Sequence, residues 1–226
     1  MVEVYATKIT RNIGEDEYSK LLEVVSEEKR WRVKKIKKFD DALRTLLAEA
    51  MLRVTLVKEF GLKNSDIVFY KNEFGKPFLK GKNIFFSISH SGEWASIAVD
   101  CDNLGVDIEK VRDINLNVAK RFFSMEECND MMKKDDKIDY FFTLWTLKES
   151  YVKALGKGLY VPLKSFTVKL EKEIKLYGEN KNKFYFKQFN IDAGYKLAVC
   201  AQNNMFQNNV NVIKQDDLLN YIFNFL

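Results

Sequence analysis

Leu104-Gly105-Val106-Asp107-Ile108-Glu109 is the last of three strand-like segments in the middle of the chain, after Ile84–Ser89 and Trp94–Val99. Turn residues separate the three. Upstream, Asp66–Tyr70 reads as a short strand, and Phe74-Gly75-Lys76-Pro77 reads as a turn by its Gly and Pro. Asp40–Phe60 carries the clearest helical pattern. Leu43, Leu46, Leu47, Ala50, Met51 and Val54 recur at three- and four-residue steps, Asp40 or Asp41 can cap the start, and Gly61 can end it. Before it lie an amphipathic helix over Glu15–Lys29 and a first strand over Val2–Ile9. Downstream, Ser124-Met125-Glu126-Glu127 is a capping-box pattern. A long helix over Asp139–Leu155 is closed by Gly156-Lys157-Gly158. Strands follow at Phe166–Leu170, Phe184–Phe189, Tyr195–Cys200 and Val210–Ile213, and a final helix at Asp216–Phe225. Helices then strands, twice over, is an α+β order and not a βαβ repeat. The two passes are similar in length, which allows a pseudo-duplicated architecture of two halves, residues 1–105 and 106–226.

The bulk composition fits such a fold. The chain has 226 residues, 46% hydrophobic and 31% charged, with 18 Phe and ten Tyr to build cores. No segment is long and apolar enough to span a membrane, and Met1–Lys8 lacks the pattern of a secretory signal. Cys101, Cys128 and Cys200 are odd in number and form no CxxC pair. They read as buried, reduced thiols of a cytoplasmic protein. The net charge of +5 is a mild bias toward an anionic partner.

Along a strand, side chains alternate in direction. Val106 and Ile108 therefore face one side, and Asp107 and Glu109 the other. Alone, the two acids read as the polar face of an edge strand. Their backbones stand about 7 Å apart, and a hard cation with oxygen ligands can sit between their tips. Trp145, Glu149 and Lys153 are spaced by four on the long helix and share a face. They read either as a buried Trp beside a surface Glu–Lys pair, or as a third carboxylate and a phosphate ligand. His90, the one histidine, stands in Phe86-Ser87-Ile88-Ser89-His90-Ser91-Gly92. With no second His or Cys nearby, zinc fits poorly, whereas a hydrogen bond to a phosphate oxygen suits His90 and Ser89. Gly75 lets backbone approach a ligand, and Lys76 adds a point charge. Seven of the ten residues Lys29–Lys38 are Lys or Arg, a pattern that by itself marks a solvated face. Taken together, three carboxylates, one histidine and dispersed cations, with no Cys–His or Ser–His nucleophile pair, describe a metal-assisted phosphoryl-group site. The spread of the cations suits a ligand with several phosphates.

Over nearly its whole length the chain resembles the Sfp-type 4′-phosphopantetheinyl transferases, which activate nonribosomal peptide synthetases. The resemblance lies in Ser26-Glu27-Glu28-Lys29-Arg30, Arg44-Thr45-Leu46-Leu47, Phe74-Gly75-Lys76-Pro77, Ile88-Ser89-His90-Ser91-Gly92, Gly105-Val106-Asp107-Ile108-Glu109-Lys110, Arg121-Phe122-Phe123-Ser124 and Trp145-Thr146-Leu147-Lys148-Glu149-Ser150. It implies two α+β halves with coenzyme A, the co-substrate, in the cleft between them. It implies Asp107, Glu109 and Glu149 as ligands of Mg2+, with Mn2+ as an alternative, and Glu149, Lys153 and His90 as catalytic residues. Lys29, Arg32, Arg44, Thr45, Lys76, Ser89, His90 and Lys153 match coenzyme-binding positions, with Arg32 standing where a family member can have Lys. Glu127 matches a family glutamate near the active site, and the capping box explains it as well. The partner implied is an apo peptidyl or acyl carrier protein of peptide or polyketide synthesis, docking around Phe122, Phe123, Met125 and Met131. Core is the alternative reading for all four, and for Phe122 and Phe123 it weighs at least as much. A monomer is expected, with no nucleic-acid or membrane partner.

Three other readings compete. Another metal-dependent phosphoryl or nucleotidyl transferase is one, though no GxxxxGK[ST] loop is present. A catalytically silent protein that binds coenzyme A or a carrier is the second, and the complete set Asp107, Glu109, Glu149 and Lys153 speaks against it. A nucleic-acid binder using Lys29–Lys38 is the third, weakened by the acids and by the lack of a binding motif.

Overall fold

Helix α3 (Phe39–Phe60) is the spine of the first half of the chain. Its apolar residues Leu43, Leu46, Leu47, Ala50, Met51 and Val54 are all buried, and it ends at Gly61, which takes the left-handed conformation at φ 63°. In this computed structural model, which describes residues 1–178 and 184–225, α3 packs on a four-stranded sheet. That sheet holds β1 (Glu3–Lys8), β4 (Phe85–Ser91), β5 (Trp94–Asp100) and the short β11 (Asn211–Val212), in the order β11-β1-β5-β4. The β1–β5 and β5–β4 pairs are antiparallel, and β11 joins β1 in parallel. Helices α1 (Glu15–Val24) and α2 (Glu27–Val33) and a hairpin of β2 (Phe69–Lys71) and β3 (Pro77–Leu79) flank this lobe.

The second lobe repeats the theme with other parts. Helix α6 (Lys137–Leu155) lies on a three-stranded antiparallel sheet of β6 (Leu104–Lys110), β10 (Tyr195–Ala201) and β9 (Tyr185–Phe189), in the order β6-β10-β9. Helices α4 (Ala119–Phe122) and α5 (Met125–Met132) and a hairpin of β7 (Thr167–Leu170) and β8 (Ile174–Tyr177) complete it. The two sheets face each other across a core that includes Val4, Ala98, Val106, Ile108, Leu197 and Val199. Each long helix covers the outer face of its own sheet. The last helix, α7 (Gln215–Phe225), returns to the first lobe, where Leu218, Leu219 and Ile222 join the core with α3. The expected division between residues 105 and 106 falls inside β6.

The α+β class holds, and local signals placed most elements. Several details differ from expectation. Glu15–Lys29 is two helices, because Ser26 caps the second by accepting from the Lys29 N–H at 3.3 Å. The stretch 66–70 divides into a short 3-10 turn at Asn64–Asp66 and strand β2. Neither Asp40 nor Asp41 caps α3; Lys38 holds the cap position without a side-chain bond, and Asp41 pairs with Arg44 instead. The three cysteines are free, but only Cys200 is buried; Cys128 is half-buried and Cys101 exposed. No helix among the described residues is long and apolar enough to cross a membrane.

Candidate active site

Strand β4 is the edge of one sheet and β6 the edge of the other. Backbone hydrogen bonds do not join them; serine hydroxyls do. Ser87, Ser89 and Ser91 alternate along β4, so all three point to one side. Each accepts a β6 backbone N–H: Val106 to Ser87 at 3.0 Å, Ile108 to Ser89 at 3.3 Å and Lys110 to Ser91 at 3.1 Å. Two of the hydroxyls also donate to the β6 acids, Ser89 to Asp107 Oδ1 at 2.9 Å and Ser91 to Glu109 Oε2 at 2.7 Å. The expected exposed edge strand is therefore a seam between lobes, with Asp107 buried in it.

Helix α6 lies directly on this seam. A methyl group at Gly105 would meet Ser150 O at 2.0 Å and Ala154 N at 2.5 Å, so only glycine lets α6 approach so near. That approach brings Lys153 onto β6. Its Nζ donates to Asp107 Oδ1 at 2.7 Å, Ser89 Oγ at 3.0 Å and Val106 O at 3.0 Å. Glu149, one helical turn earlier, lines the same cleft with Trp145. All three acids are held above the usual carboxylate range. Burial is the main cause for each, and the charge of Asp107 adds to it for Glu109 and Glu149.

The cleft has a volume of about 950 Å³. Lys29, Arg32, Thr45, Lys76, Ser89, His90, Glu149 and Lys153 line it, from both lobes. Asp107 lies one hydrogen bond beneath the lining, through Ser89 and Lys153. His90 Nε2 is 3.4 Å from Thr45 Oγ1. His90 is exposed to the cleft, yet desolvation by the surrounding walls, with the cations Arg44, Lys153 and Lys29, lowers its pKa from 6.5 to about 4. Burial likewise lowers Lys29. Lys76 is pushed down to about 8 by burial, and its Nζ donates to Leu104 O at 3.1 Å and Ala154 O at 3.2 Å. It therefore ties the β2–β3 turn to the end of α6 as well as facing the cleft. Asn72 strengthens that tie by donating to Gly156 O at 2.9 Å.

Arg44 is not part of the cleft lining; it bonds to Asp41 and the Gly92 carbonyl and acts on His90 through its charge. Glu127 is also outside it. It completes the capping box with Ser124 and forms a buried ion pair with Lys148. Of the four apolar residues at the suggested docking face, Phe123 and Met131 are core. Phe122 stacks edge-on against Trp145 at 5.1 Å and lines the cleft, and Met125 is 81% exposed. Ser91 is the participant that sequence patterns did not single out, and Lys148 is a structural cation on α6 that they also missed. The matched two-residue spacing of Ser89, Ser91 with Asp107, Glu109 is the signal that could have found Ser91.

The residues fit a divalent cation. Asp107 Oδ2 is buried and has no hydrogen-bond partner. Beside it are two further carboxylates whose charge burial disfavours, the arrangement that a hard, oxygen-seeking cation relieves. The three do not have oxygens all within 4.8 Å of one another, a closeness met among the described residues by Asp100, Cys101 and Asp102 at the β5–β6 turn.

Comparison with known proteins agrees with this architecture. Residues 12–102 match the family model of the 4′-phosphopantetheinyl transferase N-terminal region, and residues 103–200 that of the 4′-phosphopantetheinyl transferase superfamily. The 4′-phosphopantetheinyl transferase ffp of Bacillus subtilis is 38% identical over 96% of this chain and 100% of its own. The 4′-phosphopantetheinyl transferase Sfp of Bacillus subtilis strain 168 is 37% identical over the same shares. A solved holo-[acyl-carrier-protein] synthase from Neisseria meningitidis aligns with 45% of this chain and 98% of its own, at 18% identity and a TM-score of 0.39. With relatives this similar along its length, and family models matched on both lobes, the chain belongs to the 4′-phosphopantetheinyl transferase superfamily and is of the Sfp type.

Proposed function

We propose that this enzyme transfers the 4′-phosphopantetheine of coenzyme A to a serine hydroxyl of an apo carrier protein and releases adenosine 3′,5′-bisphosphate. The observation that carries the reading is one cleft with cations spread along it and Glu149 in its wall, near enough to Asp107 and Glu109 for their charges to act on it. Lys29 and Arg32 at the α2 wall suit the 3′-phosphate, and Thr45, Lys76, Ser89 and His90 suit the nucleotide and diphosphate. Asp107, Glu109 and Glu149 would hold Mg2+ or Mn2+. A cation held there would supply charge neutralisation and polarisation of the phosphate.

The chain's own groups do the rest. The serine oxygen bonds to the β-phosphorus while the bond from that phosphorus to the bridging oxygen breaks. Glu149, which lines the cleft one helical turn from Lys153, takes the serine proton. Lys153 stabilises the charge that builds on the leaving phosphate. His90, neutral at pH 7, donates a hydrogen bond there without adding a charge. Both walls of the cleft come from one chain, which supports a monomer whose halves, 1–105 and 106–226, meet at the site. Its partners are carrier domains, not nucleic acid or membrane.

Intact mass of an apo carrier protein, incubated with the enzyme, coenzyme A and Mg2+, tests the reaction. A phosphopantetheine mass gain that EDTA abolishes is expected. No gain on several acyl and peptidyl carriers, with the enzyme folded, would leave a protein that only binds coenzyme A or a carrier.

A further inference from the structure

We propose that Ser91 is a positioning residue: its hydroxyl fixes the carboxylate of Glu109 for a divalent cation, so the seam between the lobes also sets the geometry of the metal site. The proposal rests on the reading of Asp107, Glu109 and Glu149 as the metal-holding acids. A serine hydroxyl has one proton and two lone pairs. Ser91 Oγ accepts the Lys110 N–H at 3.1 Å, which occupies a lone pair and turns its single proton to Glu109 Oε2 at 2.7 Å. This is the one hydrogen bond to the Glu109 side chain among the described residues. The other charged contact, Arg112 at 4.0 Å, comes from a side chain 64% exposed. A glutamate has several rotatable bonds to immobilise, and ordering it costs entropy unless another group already holds it. Ser91 holds Oε2 and leaves Oε1 without a protein partner.

The fold supplies its own control. Ser87 makes the same seam bond, to the Val106 N–H at 3.0 Å, but donates to no carboxylate. Ser89 cannot serve as a control, because it touches both Asp107 and Lys153. Any effect shared by Ser87 and Ser91 belongs to the seam. An effect of Ser91 alone belongs to Glu109. Hydrogen-bonding groups behind metal ligands typically change metal affinity by about 10–100-fold.

The test is Mn2+ binding followed by the electron paramagnetic resonance of free Mn2+, with coenzyme A present, alongside thermal unfolding. Ser87→Ala and Ser91→Ala should lower Tm by similar amounts. Ser91→Ala should weaken Mn2+ binding about tenfold, and Ser87→Ala should leave it within about twofold. Ser91→Thr, which keeps the hydroxyl, should bind Mn2+ like the wild type. Equal weakening by the two alanine variants, or a Thr variant as weak as Ser91→Ala, overturns the positioning role. If Ser91→Ala does not fold, a Thr variant that folds but binds Mn2+ ten times more weakly overturns it as well. Wild-type protein that binds no Mn2+ overturns the metal reading itself, a result distinct from normal binding that the Ser91 variants fail to change.

Discussion

Lys148 and Lys153 stand five residues apart on α6, and each meets a carboxylate inside the protein. Lys148 Nζ donates to both oxygens of Glu127, at 2.6 and 2.7 Å, and to Phe166 O at 2.7 Å. Glu127 also accepts the N–H groups of Ser124 at 2.8 Å and Val168 at 2.7 Å. The side chains are 0% and 1% exposed. Lys153 is as well supplied with acceptors, yet it is 30% exposed, and its partner Asp107 has one oxygen with no bond at all. The difference lies on the acid. A saturated buried carboxylate ties α5, α6 and β7 together and has nothing left to offer. An unsaturated one at the foot of a cleft retains chemistry to perform.

Removing one member of each pair should separate the two roles. Lys148→Ala leaves Glu127 buried and uncompensated, so urea unfolding should show a loss of about 3–5 kcal/mol. Lys153→Ala should lower kcat/KM for coenzyme A by about 10²–10³-fold. Its equilibrium stability should fall by less than that of the Lys148 variant, because Lys153 is 30% exposed and water can take its place beside Asp107. The opposite pattern, an unfolded Lys153 variant beside an unperturbed Lys148 variant, would break the comparison.

Two smaller effects sharpen it. Burial disfavours the charged form of Asp107. Asp107→Asn should therefore hold or raise stability by about 1 kcal/mol while Mn2+ binding is lost, as function traded for stability. Loss of both together would make Asp107 structural, like Glu127. His90 gives the smallest effect. Its pKa falls from 6.5 to about 4 on folding, so between those values the unfolded chain holds a proton that the folded one lacks. Stability from this residue is thus present above pH 6.5 and is lost as pH falls toward 4. A bound phosphate should reverse part of that shift, because an anion offsets the charges of Arg44, Lys153 and Lys29. Calorimetry of coenzyme A binding near pH 5.5, in buffers of different ionisation enthalpy, should detect proton uptake in the wild type and less in His90→Asn.

Much of this was legible from residue order because the signals are local. The three- and four-residue rhythm of Leu43 to Val54, the Ser124–Glu127 capping box and the four-residue spacing of Trp145, Glu149 and Lys153 each act within a few turns of one element. What stayed hidden depends on contacts between elements. Ser91 meets Glu109 across two sheet edges, 18 residues along the chain. Lys148 reads as a polar neighbour of Glu149 until α5 and β7 enclose it. Strands β3 and β8 are short members of hairpins and carry little periodicity of their own. Arg44 has the right charge and helix for the cleft, but Asp41, one turn before it, takes its guanidinium.

The return of α7 to the first lobe has a consequence for synthesis. Chains leave the ribosome N-terminus first, and an N-terminal unit can ordinarily fold as soon as it emerges. Here Leu218, Leu219 and Ile222 belong to the core that α3 begins, and β11 pairs with β1. The first lobe therefore keeps an open apolar face until β11 and α7, which follow the whole second lobe along the chain, have been made.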